Sequence, residues 1–352
     1  MPSPSASAAV VSRDPFPEDP RLPVRVDRRI ELMSILFHLG GSPEYKRVNG
    51  RYVAEIDEHF GAAKDDAAVE GARRLRLKHG VGYSAPVTLA MYLDDAFRPL
   101  RKLVPAPPGL DHSFDTVPID EFLEVARTFA TKTDFDAFMQ AHTAHFAEVE
   151  NAIRGALTGK DPIGWFDAVF GPKKGATYHV APGLLTGPMA YGAFAQRLDL
   201  TEDVVQVMYL EEPTDEGVPR PTARTMEFLV HELCHSYVNP IFDAEKAKVE
   251  AVSRPVFESV EKAMQAQHYT SPDIMVNESV VRAVTLMFLH ERSTPAHESA
   301  SLAEQERLSF KWTADLVAAL GDVRAKHAGS LPRAELVAAT KKVLTKAAPP
   351  KP

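Results

Sequence analysis

No other stretch limits what this chain can become as tightly as residues 222–240, Thr-Ala-Arg-Thr-Met-Glu-Phe-Leu-Val-His-Glu-Leu-Cys-His-Ser-Tyr-Val-Asn-Pro. On an α-helix, side chains four apart lie one above the other, so His231 and His235 share a face. Two imidazoles so placed can share a tetrahedral zinc ion and leave room for a third ligand and a water. Glu232 follows about 100° round the helix, within reach of that water as a general base. Pro221 and Thr222 are start signals, and Asn239-Pro240 is a stop signal, so the spacing predicts a helix between them. Met226, Phe228, Leu229, Val230 and Leu233 leave little polar surface, which predicts burial. Two core histidines and a surface glutamate could also reach this spacing by chance.

A carboxylate ligand is available downstream. Asn277-Glu278-Ser-Val-Val-Arg282 opens a second apolar helix, Pro272 to about Leu289. Glu278 and Arg282 are four apart and are its only charges before His290, apart from Asp273 in its first turn. They could form an ion pair on an exposed strip. The alternative makes Glu278 a metal ligand and Arg282 its orienter or a clamp for an anionic group. A buried, unpaired carboxylate is costly and a metal ion resolves it, which favours the second reading.

These residues resemble the gluzincin arrangement of zinc metallopeptidases, His231-Glu232-x-x-His235 with a later Asn277-Glu278. His231-Glu-Leu-Cys-His-Ser-Tyr-Val-Asn-Pro240, with Tyr191-Gly192 upstream and Asn-Glu-x-x-x-Arg downstream, is more closely similar to a bacterial family catalogued as domain of unknown function 4932. The resemblance runs from about Val24 to Leu289. It implies an α+β, mostly α-helical zincin-like core, with a small antiparallel sheet beside the motif helix and one Zn²⁺ held by His231, His235 and Glu278. It implies no known substrate. The gap between His235 and Glu278 is roughly twice that of the best-studied gluzincins, and a helix from Asp243 to Gln267 is expected to fill it.

The remaining chain of 352 residues is 45% hydrophobic and 25% charged, ordinary for a globular protein. Its net charge of −8 argues against nucleic acid or an anionic membrane as partner. No apolar run approaches the length of a membrane span. Cys234 is the one cysteine, which excludes an internal disulfide and a thiolate zinc site and suits a small apolar filler. Residues 1–20 carry no signal-peptide pattern, so the expectation is a cytoplasmic protein, or an exported one whose leader has been trimmed.

Composition divides the chain into a disordered lead (1–22), a helical region (23–170), the zincin-like core (171–292), a helical buttress without chemistry (293–346) and a tail (347–352), as one unit. Helices are expected at Asp27 to Leu39, Arg51 to Phe60, Asp66 to His79, Ser84 to Phe97, Ile119 to Thr131, Thr133 to Leu157, Ser299 to Leu320 and Pro332 to Lys346. His142 and His145 read as packed side chains, and His38, His59 and His79 as helix-terminal ones. Strands are expected at 177–180, 189–198 and 204–209. The small residues of Ala190-Tyr191-Gly192-Ala193 suit an edge that takes an extended peptide, or a hairpin that only caps the core. Glu211 to Arg220 would form part of the cleft rim.

The expected chemistry is peptide hydrolysis, with a peptide or protein as substrate and Tyr191, Tyr269 or Arg282 as the oxyanion donor. A catalytically silent zincin-fold protein that binds an extended segment is the second reading, and a helical scaffold with an accidental motif the third. The oligomeric state is open.

Overall fold

The computed structural model describes residues 16–46, 50–186, 190–209 and 222–349. Helices α1 (Arg28–Leu39), α2 (Arg51–Phe60), α3 (Ala67–His79) and α4 (Ala85–Met91) come first, then α5 (Ile119–Lys132), α6 (Phe135–Ala141), α7 (Thr143–Leu157) and α8 (Pro162–Phe170). Strands β1 (Ala176–Gly183), β2 (Tyr191–Gln196) and β3 (Glu202–Tyr209) follow. The chain then returns to helix with α9 (Ala223–Asp243), α10 (Lys246–Gln265), α11 (Pro272–Arg292), α12 (Pro295–Arg307), α13 (Thr313–Lys326) and α14 (Arg333–Ala347). The fold is α+β and mostly helical.

The sheet is mixed rather than antiparallel. Its order is β1-β3-β2, with β3 parallel to β1 and antiparallel to β2. After β1 the chain crosses to the far edge before forming β2, and the tight Arg197–Thr201 turn brings β3 back into the space between them. The outer edge of β1 is covered by Val24, whose flanking residues exchange backbone hydrogen bonds with Val180. Gln196, at the far end of β2, donates its N–H to the Tyr92 hydroxyl at 2.9 Å.

Of the disordered lead expected over 1–22, residues 1–15 lie outside those described. From Phe16 the segment is packed: the Phe16 N–H donates to Asn151 Oδ1 at 2.7 Å, and Leu22 is buried. Asp27 then caps α1 by accepting from the Arg29 N–H. Its carboxylate also pairs with Arg29 and faces His179 of β1, which faces Asp203 of β3 in turn. Burial opposes a charge on His179, but the two carboxylates outweigh it and raise its pKa.

Several boundaries depart from the sequence expectation. The motif helix passes through Pro240 instead of stopping there. Proline removes the donor that would reach the carbonyl four residues back. That carbonyl, Ser236 O, instead accepts from Lys173 Nζ at 3.2 Å, so it is not left unpaired as the helix continues. The 133–157 helix breaks at His142, whose ring bonds Phe138 O and Glu55. The 299–320 helix breaks at Leu308–Trp312, where Ser309 takes a left-handed φ of 74°. The 84–97 helix ends at Met91, and α8 was not anticipated. The gap-filling helix is present as α10. The Glu211 to Arg220 rim and Pro221 lie outside the described residues.

Candidate metal centre

Helix α9 packs against β2 and β3 and also against α11, so its motif residues are held between sheet and helix. Its first turn is fixed by a capping box between Thr222 and Thr225. Met226, Leu229, Val230, Leu233 and Cys234 are buried, which sets the rotation that presents His231, Glu232 and His235.

Glu278 of α11 comes up opposite the two rings. His235 Nε2 lies 3.2 Å from Glu278 Oε1, His231 Nε2 lies 3.5 Å from Glu278 Oε2, and the two Nε2 atoms are 3.3 Å apart. Donors about 2.0–2.1 Å from a tetrahedral zinc ion stand about 3.3–3.4 Å from one another. The observed triangle therefore fits a single zinc ion in both size and donor type. These three are the only group of this kind among the described residues.

The surroundings hold two of these three side chains, His235 and Glu278, in place. Asn239, one turn beyond His235, faces its Nδ1 through Oδ1 at 3.1 Å, leaving Nε2 for the centre. Burial pushes the Glu278 carboxyl up and the His235 imidazole down, yet His231 and His235 beside Glu278, and Glu278 beside His235, outweigh it. Glu278 is held well below the usual carboxylate range, and His235 is raised to about 9. Tyr269 Oη donates to Glu278 Oε2 at 3.1 Å, and Arg282 Nη2 lies 3.2 Å from the same oxygen. Arg282 is clamped from beyond by Gln305 of α12 and by the Phe310 ring, 4.4 Å from its guanidinium carbon. Trp312 Nε1 donates to Ser279 Oγ at 2.9 Å, bracing the residue next to Glu278. The C-terminal helices, expected to be a plain buttress, thus hold the carboxylate side of the centre.

Glu232 turns toward the sheet. The Gly192 N–H of β2 donates to Glu232 Oε2 at 3.1 Å. The strand crosses α9 closely here: a Cβ on Gly192 would stand 3.2 Å from the Glu232 carbonyl oxygen. The small residue serves the approach of helix to strand. A cavity of about 410 Å³ opens beside Glu232 and His235, walled by Phe194, Val204 and Pro240.

The three oxyanion candidates fall in different places. Tyr269 and Arg282 sit against Glu278, on the ligand side. Tyr191 lies beside Gly192 on β2, and strand alternation sends it to the opposite face. There burial, with Glu44, Tyr83 and Glu232 nearby, raises its hydroxyl pKa. Sequence reasoning read the small residues around Gly192 as an edge for a peptide rather than as room for α9, and it missed the contacts of Asn239, Gln305 and Trp312. Of the three missed, Asn239 carried a signal, because it continues the four-residue stripe of His231 and His235.

The model of a family described as "Domain of unknown function (DUF4932)" matches residues 110–327, a span containing every residue of this centre. The match begins later than Val24 and reaches past Leu289, into the helices that clamp Arg282. No curated protein and no solved structure matches the chain.

Proposed function

The chain belongs to the family catalogued as a domain of unknown function, DUF4932, and from the centre that this family's span contains we propose that it is a zinc-dependent hydrolase of the gluzincin type, cleaving peptide bonds. The observation that carries the reading is the His231–His235–Glu278 triangle, whose sides of 3.2 to 3.5 Å suit one zinc ion. When bound, zinc supplies Lewis acidity, lowering the pKa of a water and polarising a carbonyl.

The chain's own residues do the rest. His231 and His235 offer Nε2, and Asn239 fixes the second ring. Glu278 offers its carboxylate, oriented by Tyr269 and Arg282. Glu232 has Oε2 held by Gly192, so Oε1 takes a proton from water and passes it to the leaving amine. The cavity of about 410 Å³ beside Glu232 supports reading this face as the place for an extended segment. The resemblance to gluzincins supports a peptide as that segment.

The test combines metal analysis with turnover. The purified protein should hold one zinc ion per chain, and His231→Ala should lose it. Glu232→Gln should keep the zinc and lose roughly 10²–10⁴-fold in peptide hydrolysis. Hydrolysis by Glu232→Gln at the parent rate would overturn the mechanism. Stoichiometric zinc without hydrolysis of any peptide would favour the silent, peptide-binding reading.

A further inference from the structure

The cavity beside Glu232 has a floor, the face of β3 formed by Glu202, Val204 and Gln206. Lys173 pairs with Glu202 at 2.5 Å, Asn239 is bonded to His235, and Asp243 accepts from Asn277 at 3.3 Å. Gln206 differs. It is 0% exposed, and neither its Oε1 nor its Nε2 has a hydrogen-bond partner among the described residues. Buried amide groups are almost always paired, and leucine or methionine would fill similar space without leaving a donor and an acceptor unmet.

The position of this carboxamide gives it a use. A Cβ on Gly192 would stand 3.2 Å from Gln206 Oε1 and 3.7 Å from Nε2, so the amide lies over the residue whose N–H holds Glu232. A neutral group with one free acceptor and an amino donor is complementary to another amide. It is a poor match for a carboxylate or an ammonium, each of which would leave one half unpaired.

We propose that Gln206 is a substrate-recognition residue, its carboxamide donating from Nε2 and accepting at Oε1 to a peptide amide laid in the cleft beside Glu232. The proposal rests on the reading of this cleft as a substrate cleft. It makes Gly192 a double spacer, admitting α9 on one side and the Gln206 amide on the other. It also explains why an unpaired polar side chain stands where an apolar one would be more stable.

The experiment uses Gln206→Leu, with Gln206→Met as the second variant should the first not fold. Binding is read by calorimetric titration of mixed acetylated, amidated hexapeptides into Glu232→Gln, with and without the Gln206 change. Loss of one amide pairing should weaken binding about tenfold. With Glu232 intact, kcat/KM should fall by a similar factor. Zinc content should stay at one, and the thermal midpoint should equal or exceed the parent's. Unchanged affinity, or a midpoint lowered by several degrees, would overturn the proposal, the latter by showing that Gln206 serves the fold. Because binding is read without turnover, peptides held through Gln206 but never cleaved would sink the hydrolase reading alone.

Discussion

The Tyr269 hydroxyl stands 3.1 Å from Glu278 Oε2, the oxygen that also faces His231 Nε2 at 3.5 Å. The same hydroxyl accepts from Arg282 Nη2 at 2.9 Å, so tyrosine, arginine and glutamate form one closed unit. Burial and the neighbouring Glu278 push the Tyr269 pKa up to about 12, which keeps it a donor at any working pH. The proposed role of Tyr269 is to aim the carboxylate. Tyr269→Phe should leave the fold intact and weaken zinc binding roughly 10- to 100-fold, the usual cost of losing such a support. Competition against a chelator of known affinity measures this. Unaltered affinity would return Tyr269 to the oxyanion candidates.

Gly192→Ala tests the crossing of β2 over α9. The added methyl would press on the Glu232 carbonyl oxygen and the Gln206 amide, each at 3.2 Å. The strand must shift by a few tenths of an ångström, which moves the N–H that positions Glu232 Oε2. The expected outcome is a stability loss of about 1–3 kcal/mol by overpacking. Turnover should fall at least tenfold while zinc stays bound, since misplaced catalytic groups are costly. Denaturant melts and peptide assays on one preparation separate the two effects. Full activity would show that the Gly192–Glu232 contact has no part in catalysis.

A third prediction concerns Glu31 of α1, which is 1% exposed and bonded to the Tyr52 hydroxyl at 2.9 Å. Burial raises its pKa to about 8, so the folded protein holds a proton that the unfolded chain releases near 4.5. The raised value means that this contribution is fully present below the unfolded pKa and is lost as pH rises through about 8. The parent's thermal midpoint should therefore decline from about pH 5 to pH 9. Glu31→Gln, which cannot ionise, should flatten that decline, which corresponds to a stability change on the order of a few kcal/mol. A parallel decline in both proteins would sink this assignment.

Much of the centre was legible because helix geometry is local. Four-residue spacing was enough to place His231 over His235, and an isolated charged pair in an apolar helix was enough to single out Glu278 and Arg282. The sheet was less legible. Alternating β-branched residues identify strands, but the parallel pairing of β1 with β3 depends on how the chain crosses between them, which no local pattern records. Pro240 misled for a related reason: the carbonyl it leaves without a helical donor is taken up by Lys173, 67 positions earlier in the chain. Gln305, Phe310 and Trp312 carried no signal at all, since their partners lie on another helix.

Those last contacts have a consequence for synthesis. His231, His235 and Glu278 leave the ribosome before the residues that clamp Arg282 and brace Ser279. A nascent chain halted short of Gln305 would carry His231, His235 and Glu278 yet lack the residues that clamp Arg282 and brace Ser279. The centre can therefore reach its final arrangement only late in translation, once those residues have emerged.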